Sequence, residues 1–168
     1  RSVLAEQDIL VSDVGAHKMW AARHYPTYQP KTCFIHNGFC SMGGALPGAT
    51  EALRIHPDKN CVALCGDGGF IMSVQALSTA ATHKIPIITV LLDDQHYGLI
   101  KWKQEVAYHK ASHTDLINPD FVQLSESFGC YAKKIDSVAS FKAELEDAIK
   151  RKDQPTVLIV PVDYDENI

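Results

Sequence analysis

The strongest signal along the chain is a series of short apolar runs separated by longer stretches of helical character. Runs at Asp8–Ser12, Thr32–His36, Cys61–Cys65, Ile85–Asp93, Cys130–Ile135 and Thr156–Val162 predict six strands. Several are apolar throughout rather than alternating, as strands covered on both faces require. Helices are predicted over His17–His24, Gly43–His56, Met72–His83, Pro119–Phe128 and Ser137–Lys152. This β-α alternation predicts an α/β fold, a doubly wound and mainly parallel six-stranded sheet with helices on both faces. No repeat, low-complexity tract or linker interrupts the pattern, so residues 1–168 read as a single domain. Ligands of such sheets bind outside the carboxyl ends of the strands. That rule singles out three loops, at Asp13–His17, Gly66–Gly69 and Asp93–Gly98.

Composition narrows the function. With 46% hydrophobic residues among 168, the chain can bury a full core. A net charge of −4 argues against nucleic acid or an anionic membrane as partner, since both demand a basic surface. No apolar run approaches the roughly 20 residues needed to span a bilayer. The chain starts at Arg1 rather than Met and has no signal-peptide pattern, so we expect a cytoplasmic protein and an excised segment of a longer one. The five cysteines, Cys33, Cys40, Cys61, Cys65 and Cys130, include no CxxC pair. They read as small buried hydrophobes rather than disulfide or zinc ligands.

Chemistry concentrates in Cys65-Gly66-Asp67-Gly68-Gly69-Phe70. An apolar strand ends there, glycines flank a carboxylate, and a helical segment follows. Glycines without a Cβ let backbone N–H groups approach an anion at a helix start. Asp67 would repel that anion unless a cation lies between them, a combination suited to a Mg²⁺–diphosphate pair. The next apolar strand ends in Asp93-Asp94-Gln95-His96-Tyr97-Gly98, which places Asp94 27 positions after Asp67. A strand–helix–strand crossover needs about that much chain to return to the same edge of a parallel sheet. Both carboxylates can therefore face one cation. Taken alone, each motif also suits a plain solvated turn.

GDGGF followed by LLDDQHYG resembles the paired GDG and NN/ND signature of thiamine diphosphate (ThDP) enzymes. The resemblance implies that Asp67, Asp94 and the main-chain oxygen of His96 hold Mg²⁺, with no role required of the imidazole. It also puts Gly66, Gly68, Gly69, Tyr97 and Gly98 against the cofactor. Asp94 stands where many members have Asn. Val14–Ala22 is similar to the GQHQMWAA segment of acetolactate synthases and makes His17 a candidate phosphate donor, although Ala16 and Lys18 replace the two glutamines. Asn37–Pro47 resembles a segment in which a bulky apolar residue, here Met42, sits under the cofactor, while the carbonyl matching Cys40 accepts from its aminopyrimidine. Asn118-Pro119-Asp120-Phe121 and Val160–Asn167 are similar to family segments in the same order. Leu99–Gln104 departs from the family, with Trp102 one residue before the usual tryptophan.

What the resemblance implies is a ThDP-binding fold from an acetolactate synthase-like enzyme of branched-chain amino acid biosynthesis. Its cofactors are ThDP and Mg²⁺; FAD belongs to some full enzymes and is not expected to bind here. Such an enzyme decarboxylates pyruvate and joins the two-carbon unit to a second 2-oxo acid. The partners implied are a pyrimidine-binding domain of the same or a neighbouring chain, a 2-oxo acid substrate and further copies in a homo-oligomer. The glutamate that activates the cofactor lies on that other domain, so this chain alone is expected to be inactive. Two readings compete: the diphosphate-binding subunit of a two-chain ThDP decarboxylase or oxidoreductase, and a non-catalytic phosphate-binding α/β domain.

Overall fold

The computed structural model describes residues 1–164. Its centre is one six-stranded sheet in the order β2-β1-β3-β4-β6-β5. The strands are β1 (Ile9–Ser12), β2 (Cys33–Ile35), β3 (Cys61–Gly66), β4 (Ile88–Asp93), β5 (Tyr131–Lys134) and β6 (Thr156–Pro161). Every neighbouring pair is parallel. The helices are α1 (Ala16–His24), α2 (Ala45–Ile55), α3 (Asp67–Ser73), α4 (Ala76–Thr82), α5 (Gly98–Tyr108), α6 (Phe121–Ser127) and α7 (Val138–Lys150). The predicted doubly wound α/β architecture is therefore the observed one.

Strand periodicity divides the core in two. Ile9 and Val11 of β1 join Cys61, Ala63 and Cys65 of β3 on the face covered by α2, α3, α4 and α6. Leu10, Val62, Ile88, Val90 and Leu158 point to the opposite face, with Ala21 of α1 and Leu145 and Ala148 of α7. Side chains two apart in a strand share a face, and uninterrupted apolar runs are what a sheet buried on both sides needs. Cys61, Cys65 and Cys130 are buried as expected, but Cys33 is half-buried and Cys40 is exposed. Among the described residues no helix is long and apolar enough to cross a membrane.

Beyond shifts of one or two residues at element ends, three elements differ from the sequence reading. The strand expected from Ile85 begins at Ile88. Ile85 N donates instead to Ala80 O at 2.8 Å, capping the preceding helix, and Pro86 has no N–H to offer a ladder. The helix expected over Met72–His83 starts earlier, at Asp67, and is divided after Ser73. There Leu77 N and Ser78 N donate to Val74 O and Gln75 O, each at 3.0 Å, the tighter i→i+3 pattern of a 3₁₀ turn. Finally, residues 98–108 form helix α5, which the sequence reading left without an element. No α5 residue is buried, so its apolar side chains follow no core-facing stripe that periodicity could detect.

Candidate functional site

Strand β1 has β2 on one side and β3 on the other. The direction of winding thus changes beside β1, and the crevice there is where this class of sheet takes ligands. A cleft opens at that point, lined from the segments after β1, β2, β3 and β4 and including His17, Met42, Asp67, Asp94 and Tyr97. Gly66, Gly68, Gly69, His96 and Gly98 line it too. Cys40 is the one sequence candidate outside the lining. It sits exposed on the loop before α2, its thiol 3.5 Å from Lys18 Nζ.

Register explains how the carboxylates meet. Gly66 of β3 lies opposite Leu92 of β4, so both chains leave the sheet at the same level on the same edge. Asp67 is buried at 1% exposure. Its Oδ1 accepts from Gly68 N at 2.7 Å, and its Oδ2 accepts from Gln95 N at 2.8 Å and from Asn118 Nδ2 at 2.6 Å. Burial pushes the Asp67 carboxyl up, while these donors hold it back. Asp94 is pushed up to about 6, first by burial and then by the charge on Asp67. A desolvated cleft in which the charge of Asp67 raises the proton affinity of Asp94 is a site short of positive charge. Among the described residues no cluster of three or more His, Cys, Asp or Glu side chains forms a metal site. A cation here would depend on the two aspartates, backbone oxygen and the ligand's own oxygens.

The His96 ring is already engaged by its neighbours. Its Nδ1 is hydrogen-bonded to Asp94 O, and its Nε2 accepts from Lys101 Nζ at 2.9 Å. His17 is buried at 1% exposure, and burial lowers its pKa to about 4 despite a hydrogen bond to the Asp13 backbone. Its Nε2 has no partner. A buried nitrogen without a partner is costly, and this one borders the cleft.

The glycines have a second reason to be glycine. A Cβ on Gly68 would come within 2.7 Å of the Tyr97 ring, and one on Gly69 within 2.5 Å of Asp13 Oδ2. Their expected role was to open N–H groups to an anion, yet the Gly68 N–H is directed at Asp67. Close approach of neighbouring side chains is what the structure displays.

Sequence reasoning missed three residues. Asn118 bridges two carboxylates, donating from Nδ2 to Asp67 Oδ2 and, at 2.8 Å, to Asp93 Oδ1. Asp13 is fully buried and accepts from Val14 N and Gly43 N, each at 2.8 Å, tying the loop that carries Met42 to the end of β1. Tyr164 lines the cleft, and its ring lies 5.3 Å from that of Trp20. Burial and the Asp94 and Asp67 charges push its hydroxyl pKa up. Asn118 stood in a recognised segment and Asp13 opened a selected loop, but neither spacing nor residue type revealed the partner. Of the Val160–Asn167 segment, Asp165, Glu166 and Asn167 lie outside the described residues.

Fold and site together define a parallel α/β domain with an acidic cleft at its winding reversal. Residues 13–160 match the family model for the C-terminal TPP-binding domain of thiamine pyrophosphate enzymes, and the chain belongs to that family. It is 33% identical over its whole length to an acetolactate synthase of Bacillus subtilis, of which it covers 29%. It is 36% identical over 95% of its length to the large subunit of acetolactate synthase isozyme 2 of Escherichia coli, again covering 29%. In fold it is similar to a ThDP-dependent 4-hydroxybenzoylformate decarboxylase of Rhodococcus jostii. The TM-score is 0.91 at 23% identity, over 99% of this chain and 31% of that one. The chain thus spans less than a third of these relatives' lengths.

Proposed function

We propose that this domain holds the Mg²⁺–diphosphate end of ThDP in an acetolactate synthase-like enzyme. Such an enzyme would decarboxylate pyruvate and join the two-carbon unit to a second 2-oxo acid. The observation that carries the reading is the pair of desolvated carboxylates, Asp67 and Asp94, at the ends of adjacent strands, with the charge of Asp67 raising the proton affinity of Asp94. Alignment with acetolactate synthases across the chain supports the reaction class.

Asp67, Asp94 and the main-chain oxygen of His96 would hold the cation, which fits the hard oxygen ligands magnesium prefers. His17 would face the diphosphate with Nε2, its Nδ1 being fixed by the Asp13 carbonyl. Because a neutral imidazole held in that tautomer presents a lone pair, Nε2 must take up a proton before it can donate to phosphate. Met42, which lines the cleft, would supply the cofactor an apolar, unbranched surface that is adaptable in shape. Cys40, outside the lining, would contribute only its carbonyl. ThDP, when bound, supplies a carbon nucleophile and an electron sink for CO₂ loss. The resemblance assigns its activation to a glutamate on a pyrimidine-binding domain, so this chain alone is expected to produce no acetolactate.

Calorimetric titration of ThDP with and without Mg²⁺, on the protein and on Asp67→Ala, tests the site. Binding should require the metal and be lost in the variant. Metal-independent binding that survives Asp67→Ala would refute the reading.

A further inference from the structure

Asp67 offers about four lone-pair positions, two on each oxygen. Three are occupied by protein donors. Gly68 N takes one on Oδ1, while Gln95 N and the Asn118 amide take both on Oδ2. The single free position is on Oδ1. The Asn118 amide nitrogen is itself anchored, because its other hydrogen goes to Asp93 Oδ1 at 2.8 Å. The chain that delivers it is braced against the acidic loop: Leu116 N donates to Gln95 O at 2.7 Å and Tyr97 N to Thr114 O at 2.8 Å. Gln95 has a left-handed backbone with φ of 59°, a conformation non-glycine residues hold only where neighbouring bonds enforce it. Here its own N–H and C=O are both engaged by these partners.

We infer that Asn118 is a positioning residue for the cation site, filling Asp67 Oδ2 so that the carboxylate meets a divalent ion through Oδ1 alone. The inference rests on the proposed Mg²⁺ site and specifies how that site selects its ion. Magnesium demands near-ideal octahedral geometry and strongly prefers single-oxygen contacts, whereas calcium accepts six to eight ligands and bidentate carboxylates. A carboxylate restricted to one oxygen favours the smaller ion. Releasing Oδ2 opens the bidentate mode and favours calcium. Asn118 thus acts through Asp67, and no contact of its own with metal or cofactor is required.

The test titrates the protein and Asn118→Ala with Mg²⁺ and with Ca²⁺, each at saturating ThDP, by calorimetry, with unfolding temperatures recorded beside them. Loss of a residue that orients a metal ligand typically weakens affinity about 10- to 100-fold. The expected result is a loss of that size for Mg²⁺ and a much smaller one for Ca²⁺, reversing or erasing the preference for magnesium. A residue that only supports the fold would weaken both ions in proportion, and that outcome, or an unchanged Mg²⁺/Ca²⁺ ratio, overturns the inference. If the alanine variant does not fold, Asn118→Ser, which has one O–H donor for the two carboxylates, is read by the same ratio. Wild-type ThDP binding indifferent to either ion would remove the underlying site as well, which separates the two failures.

Discussion

Replacing Asp94 with asparagine should make the metal-free protein more stable, although it removes a ligand from the proposed site. The folded-state pKa of Asp94 is raised from 3.8 to about 6 by burial and by the neighbouring Asp67. For an acid raised in this way the folded state keeps a proton that the unfolded chain has released. Stability therefore falls as pH climbs from the unfolded value through the folded one. Below about pH 4 both states are protonated and no penalty exists; above about pH 6 the whole penalty is present. At 1.36 kcal/mol per unit the shift is worth up to about 3 kcal/mol, and partial solvation of the half-buried Asp94 reduces this to roughly 1–2 kcal/mol. For a chain of this size that corresponds to an unfolding temperature about 2–8 °C higher in Asp94→Asn at pH 7.5. Thermal unfolding of both proteins in chelator-containing buffers between pH 4 and 7.5 checks it. The advantage of the variant should shrink toward zero at the acid end. An advantage that is absent at pH 7.5, or independent of pH, would refute the argument from burial and the Asp67 charge.

The same shift predicts that Mg²⁺-dependent ThDP binding weakens as pH drops below about 6, approaching tenfold per pH unit, because a protonated Asp94 cannot ligate; titrations between pH 5 and 7.5 would reveal it. His17→Phe should change the metal-free unfolding temperature little, since it removes a buried nitrogen without a partner but also leaves the Asp13 carbonyl without its ring donor. ThDP affinity should nevertheless drop by about tenfold or more if Nε2 meets the diphosphate. Asp13→Ala strips the acceptor from Gly43 N and Val14 N, and should cost about 2–4 kcal/mol in urea unfolding.

How much of this was legible in advance follows from where each signal resides. Strands such as Val62–Cys65 and Ile88–Leu92 are apolar on both faces, so a sheet buried on two sides announces itself locally. The Asp67–Asp94 pairing was legible because a crossover of that length lets two neighbouring parallel strands end at the same edge. Helix α5 was not, since none of its residues is fully buried and a core-facing apolar stripe is the signal a helix gives. Asn118 and Asp13 act through partners 51 and 30 positions distant, and no short window contains both members of such a pair. Gly68 and Gly69 were read as openings for an anion, whereas Tyr97 and the Asp13 carboxylate occupy the space a Cβ would need. Composition signals a small residue without saying which neighbour demands it.

The crossover from β3 to β4 has a mechanical meaning once its ends are considered together. An ion gripped by Asp67 and Asp94 would fasten a loop of 27 positions in the manner of a removable crosslink. Each time that unit opened, the ion would have to be surrendered or the opening forgone. Cofactor loading and resistance of the central sheet to unravelling would then rise and fall as one quantity.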